Sequence, residues 1–207
     1  MSILENTKEE IVDMLSLSEY DELEEIQELQ VEVMKGVSKA EQGEKGPIKY
    51  FSGSRDNKWL SSFNKGEPFE YEGYTYPTVE HAFQAQKIDP KDPKEKEYKT
   101  KLTDKELKSN QAKKLGGKKS FKENKLKFRK DWDKVKLEIM EEINGSYYKA
   151  NPKLAQKLVE TGSKELLHTG FRIDKFWGQT KAGGGNNHGK ILMEIRESYK
   201  NKHYILL

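Results

Sequence analysis

Phe69-Glu70-Tyr71 and Tyr74-Thr75-Tyr76 flank Glu72-Gly73, and Pro77-Thr78 then leads straight into Val79-Glu80-His81-Ala82-Phe83-Gln84-Ala85-Gln86-Lys87. The alternating aromatics around a glycine predict two short strands that turn at Gly73. A proline with fixed φ, followed by a threonine able to cap, predicts a helix that starts directly after them. At about 100° per residue, Glu80, Gln84 and Lys87 fall nearly in line on that helix, so a carboxylate, an amide and an amine share one stripe. Glu80 also sits in the first turn, where free N–H groups and the helix dipole favour its ionised form. The stripe reads either as a solvated face or as the wall of a site.

The remaining pattern is mostly helical. Ile48-Lys49-Tyr50-Phe51 predicts a strand, and Pro90 to Glu97 a charged loop with two prolines. A helical pattern resumes toward Leu102 to Leu115 and stops at Gly116-Gly117. A long amphipathic stretch carries Trp132, Val135, Leu137, Ile139, Met140 and Ile143 and is broken at Asn144-Gly145. Further helices are expected over Pro152 to Val159 and Lys190 to Tyr199. Neither an internal repeat nor the strand–helix alternation of a doubly wound sheet is present. The expected fold class is a mostly helical α+β single domain with short strands over residues 48–207, preceded by an acidic helical extension and linker over 1–47.

Charge divides the chain at the same place. Residues 1–47 hold 13 Asp or Glu against 4 Lys, whereas 48–207 hold 34 basic against 22 acidic residues. In the acidic part, Thr7 and Glu10 make a capping box, and Leu23, Ile26, Leu29, Val33 and Val37 follow a three–four spacing. It reads as an extension packed on the body, as a partner-binding or self-associating helix pair, or as an acidic cover for a basic cleft. The basic body suits a protein that handles phosphates or nucleic acid, although a generally lysine-rich composition gives the same balance. With no Cys in the chain, a disulfide framework, a thiolate nucleophile and a cysteine zinc site are all excluded, and the cytoplasm is the expected compartment. No apolar run approaches the roughly 20 residues that span a bilayer, so no membrane partner is expected.

Several segments around the capped helix carry a resemblance. Phe51, Trp59-Leu60-Ser61-Ser62-Phe63 and the hairpin lie upstream; Asp174-Lys175-Phe176-Trp177-Gly178 and Gly183-Gly184-Gly185-Asn186-Asn187-His188-Gly189 through Arg196 lie downstream. From about residue 49 to 198 this series resembles the NADAR family. That family includes the N-glycosidase that destroys riboflavin-biosynthesis intermediates and the hydrolases that remove ADP-ribose from guanine.

The resemblance implies a metal-independent N-glycosidase with no cofactor. Breaking a bond between ribose C1 and an amino group creates an oxocarbenium-like centre, which needs a carboxylate near C1, a donor for the departing nitrogen and a clamp on phosphate. Glu80 and Asp174 are the carboxylates inside the matching segments, and either can orient water or steady the cation. Lys87 is expected either to donate a proton or touch phosphate, or to attack C1 of a ring-opened sugar as an amine. Trp59 and Trp177 are expected to stack on the substrate, though packing explains Trp59 equally well. His81, Gln84 and Gly178 join the binding residues. Gly184, Asn186 and Gly189 belong to a glycine run before a helix, which can cradle a phosphate or form a flexible hairpin. Arg196 clamps phosphate or anchors the last helix.

Three places depart from the family pattern: His168 stands where relatives commonly carry a glutamate, Gly117-Lys118-Lys119 replaces the arginine that often follows a leucine–glycine step, and His188 stands where an apolar residue is usual. The histidines lack the i,i+4 spacing of a metal motif. The expected substrate is an ADP-ribosyl or ribose-phosphate group on an amino heterocycle, either ADP-ribosylated guanine in DNA or RNA or a riboflavin-pathway intermediate. A non-catalytic NAD or ADP-ribose-binding module, regulated by the acidic extension, is the alternative.

Overall fold

The computed structural model describes residues 46–169 and 174–205. The expected acidic extension therefore lies, apart from Gly46 and Pro47, outside the described residues. Within them the chain is helical with a few short strands, as expected.

Strands β1 (Ile48–Tyr50), β2 (Phe69–Tyr71) and β3 (Tyr74–Tyr76) come first. β2 and β3 pair antiparallel, with Phe69 opposite Tyr76 and Tyr71 opposite Tyr74. Glu72 at φ 48° and Gly73 at φ 76° supply the two left-handed residues of the turn whose twist matches such a pair. Helix α1 (Val79–Ala85) follows, with the Thr78 hydroxyl accepting from the His81 N–H. All seven of its residues are buried, Glu80, His81 and Gln84 included. The polar stripe is interior, and the solvated-face reading fails for Glu80 and Gln84.

Helix α2 (Glu95–Lys101) ends before the stretch expected over Leu102 to Leu115, which is helical only in α3 (Ser109–Leu115), and α4 (Lys118–Glu123) follows the glycine pair. The loop over Pro90 to Lys94 ends early because buried Asp92 accepts from the Lys94 N–H at 2.8 Å and the Lys127 N–H at 2.6 Å. Gly116-Gly117 ends α3, but Gly117 also serves as the cap of α4.

Helix α5 (Trp132–Ala150) runs unbroken through Asn144-Gly145, contrary to the expected break. Asn144 donates its amide to the Met140 carbonyl within the helix at 2.8 Å. Ile143, Tyr147 and Tyr148 are buried on the same helix. A helical glycine costs about 1 kcal/mol, which the burial of one large side chain at about 1.5–3 kcal/mol outweighs.

Helix α6 (Pro152–Val159) matches expectation, but β4 (Leu166–His168) does not appear in the sequence pattern. It pairs parallel with β1, placing Leu166 beside Ile48 and His168 beside Tyr50. The last helix, α7 (Asn187–Ile205), packs on β4, α5 and α6. A Cβ at Gly189 would come within 2.2 Å of the Leu166 carbonyl oxygen, so glycine lets α7 approach the strand. The core thus has α1 at its centre, held by α3 on one side and α5 on the other. No helix among the described residues is long and apolar enough to cross a membrane.

A candidate active site around Glu80

Although α1 is enclosed, its Glu80 and Gln84 line a cleft of about 640 Å³. Glu80, Phe83 and Gln84 form its inner wall, with Lys87 just past the helix. Ser61, Ser62 and Phe63 close one side, Asn110, Lys113 and Lys114 of α3 another, and His168, Asp174, Trp177 and His188 a third. Glu80, Gln84, Lys87, Asp174 and Trp177, separated by nearly a hundred positions, are therefore brought together.

The Glu80 carboxylate accepts from the Ser62 hydroxyl at 3.0 Å and from the Gln84 amide at 2.8 Å. Its backbone N–H donates to the Ser62 carbonyl at 2.9 Å, tying helix to loop. Burial raises its pKa, opposed by the Gln84 bond, the Lys113 charge, the Ser62 bond and the Lys87 charge. Desolvation therefore wins over the helix-dipole effect expected from the sequence. Gln84 Oε1 has no partner, and a Cβ at Gly116 would fall 1.8 Å from it, so the α3–α4 junction passes directly against this amide.

Lys87 is half-buried, its ammonium 5.5 Å from the centroid of Phe83 and 5.6 Å from that of Trp132. Burial pushes its pKa down to about 8, with Glu80 and Asp174 pulling it up and Lys113 pulling it down. Asp174 stands at the exposed rim and accepts from the Phe176 N–H at 2.8 Å. Trp177 packs edge-on against Phe83, the ring centroids 5.3 Å apart, with the indole on the cleft wall. A buried carboxylate, a lysine that loses its charge near pH 8, a second carboxylate and an indole make a site able to transfer protons and hold an aromatic ring.

The glycine run is bonded to the segment that holds Trp177. Gly185 donates to the Lys175 carbonyl at 2.7 Å, Asn186 to Gly178 at 3.2 Å and His188 to Trp177 at 3.1 Å. These three N–H groups are thus committed to the segment that holds Trp177. A Cβ at Gly184 would lie 2.2 Å from the Gly178 carbonyl oxygen, which makes Gly184 a close-approach position. Asn186 clamps β4, accepting from the His168 N–H at 3.0 Å and donating to the Leu166 carbonyl at 2.9 Å. Gly178, Gly184, Asn186 and Gly189 support the cleft from behind and do not line it.

Three further residues lie off the cleft, and Trp59 and Arg196 take the packing and anchoring places that the sequence also allowed. Trp59 lies off the cleft beneath Lys157, whose ammonium is 4.6 Å from the indole centroid. His81 is fully buried between the Thr78 hydroxyl at 2.7 Å and the Leu107 carbonyl at 2.9 Å. Arg196 donates to the Thr161 hydroxyl at 2.9 Å and the Lys164 carbonyl at 2.7 Å, anchoring α7. The cleft residues missed from the sequence are Asn110, Lys113 and Lys114. Their i, i+3, i+4 spacing is the signal, hidden in a lysine-rich stretch. Among the described residues no group of three or more His, Cys, Asp or Glu gathers to hold a metal ion.

Comparison with known proteins agrees with this fold. The NADAR domain description matches residues 47–200. The N-glycosidase YbiA of Escherichia coli strain K12 is 32% identical over 152 residues, covering 72% of this chain and 86% of the relative. The riboflavin biosynthesis protein VVA0006 of Vibrio vulnificus is 30% identical over 152 residues, 73% of this chain but 38% of that longer protein. The NMR structure of E. coli YbiA superposes with a TM-score of 0.62 at 26% identity, covering 77% of this chain and 88% of that one. By matched domain, relatives and fold alike, this chain belongs to the NADAR family.

Proposed function

We propose that this N-glycosidase hydrolyses the bond between ribose C1 of an ADP-ribosyl group and an amino heterocycle, with ADP-ribosylated guanine in nucleic acid as the leading substrate. The observation behind this reading is the buried Glu80 beside Lys87 in a cleft rimmed by Lys113 and Lys114. Water attacks C1 as the C–N bond breaks, Glu80 takes the proton of the attacking water, and the Lys87 ammonium gives a proton to the departing nitrogen. Asp174 at the rim holds ribose hydroxyls, and Trp177 stacks on the base. Lys113 and Lys114 hold phosphate.

The choice of an ADP-ribosyl over a simple ribose phosphate draws on a second hollow of about 490 Å³ that shares Lys87 with the first. Lys118, Arg129 and Lys130 supply positive charge there beside the Phe128 and Trp132 rings. Such a wall suits a diphosphate with an adenosine attached. A riboflavin-pathway ribosylamino-pyrimidine phosphate, by contrast, occupies only the first hollow.

The test incubates the protein, beside Glu80→Ala and Asp174→Ala, with an ADP-ribosylated guanine oligonucleotide and with the ribosylamino-pyrimidine phosphate. Mass spectrometry then reads free ADP-ribose and ribose phosphate. Release of ADP-ribose that Glu80→Ala abolishes is expected. Release of ribose phosphate alone would transfer the assignment to the small metabolite. Binding of ADP-ribose with no turnover of either would leave a binding module.

A further inference from the structure

Tyr50, His168 and His188 meet at the floor of the cleft. The Tyr50 and His168 rings stack at 5.1 Å with 14° between planes, and the two imidazole centroids lie 5.3 Å apart. Tyr50 Oη is 2.8 Å from His188 Nδ1. Both histidines line the cleft, yet His188 Nε2 and His168 Nδ1 are buried without a partner. Buried polar atoms left unmatched are uncommon and mark either strain or a missing partner.

The protons in this cluster follow from counting donors. Tyr50 is fully buried and His188 Nδ1 is the single partner of its hydroxyl. If Nδ1 carried the proton, the phenolic O–H and the Nε2 lone pair would both be stranded. If the phenol donates to Nδ1, only the Nε2–H remains unmatched, so this tautomer holds. Burial keeps the His188 ring neutral, which is what leaves Nδ1 able to accept. Burial lowers the His168 pKa as well, so its ring is held neutral with one nitrogen carrying the proton. Since Nδ1 is the unpartnered atom, that nitrogen is Nε2, and Nδ1 keeps its lone pair. The cleft floor thus presents one N–H donor and one nitrogen acceptor, side by side and not bonded to each other.

We propose that His188 and His168 together bind a hydroxyl of the substrate's ribose, His188 Nε2–H donating to its oxygen and His168 Nδ1 accepting its proton. A neutral hydroxyl both accepts and donates, whereas a diphosphate has no proton to give His168. The pair is therefore a sugar-reading element, separate in chemistry from the lysine rim. The inference rests on the ribosyl reading of the site given above.

The test uses ADP-ribose and analogues each lacking one hydroxyl of the terminal ribose, with binding to the full chain measured by calorimetry. One deoxy analogue is expected to bind about 5- to 100-fold more weakly than ADP-ribose, the range for leaving buried partners unmatched. His188→Leu is expected to bind that analogue and ADP-ribose alike, and His188→Asn to recover part of the discrimination. Imidazole ¹⁵N resonances of the unsubstituted protein give a readout independent of variant folding. They should report Nε2–H on both rings, and ADP-ribose should move His188 Nε2 and His168 Nδ1. The opposite tautomer on either ring, or equal binding of every deoxy analogue, overturns the proposal. Hydrolysis that persists in that case leaves the N-glycosidase function standing; conversely, ADP-ribose that moves both rings without any substrate being cleaved leaves the hydroxyl site and removes the catalytic assignment.

Discussion

With its ammonium pushed down to about 8 by burial, Lys87 changes charge inside the range where the reaction can be assayed. As proton donor it works in the charged form, so kcat should fall as pH rises through about 8, and on the acid side it should fall again as the Glu80 base, its pKa raised by burial, takes up a proton. A rise in kcat over the same interval, together with an adduct trapped by borohydride, would assign the free amine as nucleophile instead. Lys87→Ala should lower kcat by about 10²- to 10⁴-fold, the span of general-acid contributions. His188 makes a stability prediction. Its pKa is pushed down to about 3 by burial and by His168, below the ordinary histidine value of 6.5. The unfolded chain therefore takes up the proton first as pH falls. Stability from the neutral ring is full above about pH 6.5 and is lost progressively toward pH 3, by up to roughly 5 kcal/mol. Urea midpoints at pH 7 and pH 4 should differ less for His188→Leu than for the unsubstituted protein.

Among the elements, two glycines predict opposite outcomes. Gly145 sits inside α5, and a methyl group added there would meet nothing within 4 Å, so Gly145→Ala should raise stability by about 0.5–1 kcal/mol and the melting temperature with it. Gly116→Ala drives a methyl into Gln84 Oε1, so it should cost about 1–3 kcal/mol. It should also cut activity by disturbing the Gln84–Glu80 bond, which kcat for the folded variant would reveal. The same elements mark what sequence reasoning reached. The hairpin, the capped α1 and its Glu80–Gln84–Lys87 stripe were legible because turn, cap and period are local. β4 was not, because its three residues pair with a strand more than a hundred positions away. Asn144-Gly145 suggested a break because local propensity argues for one, while the burial that overrides it comes from tertiary packing. Trp59 and the glycine run were matched by pattern, yet their roles depend on which backbone they lie against. Lys113 and Lys114 were hidden by composition: a lysine on a cleft looks like any other in a chain with 38 basic residues.

Taken whole, the chain sets a body carrying an excess of positive charge behind an N-terminal stretch carrying an excess of negative charge. If the substrate is a nucleic-acid adduct, KM for an ADP-ribosylated oligonucleotide should rise steeply with salt, since each phosphate neutralised releases counterions. Free ADP-ribose, with two phosphates, should respond far less. Removal of residues 1–45 should steepen the oligonucleotide response if that stretch competes for the basic face, and leave it unchanged if it binds elsewhere. The interior position of α1 has a consequence for how this protein can diversify. The helix proposed to carry the chemistry is also the one around which the fold assembles, so a change there costs both activity and folding. New substrate preference must therefore be acquired around the cleft's outer walls, through the face of α3 and the histidine floor, while the central helix stays fixed by double duty. Libraries built on those walls should retain folded, soluble variants at a much higher rate than libraries built on α1.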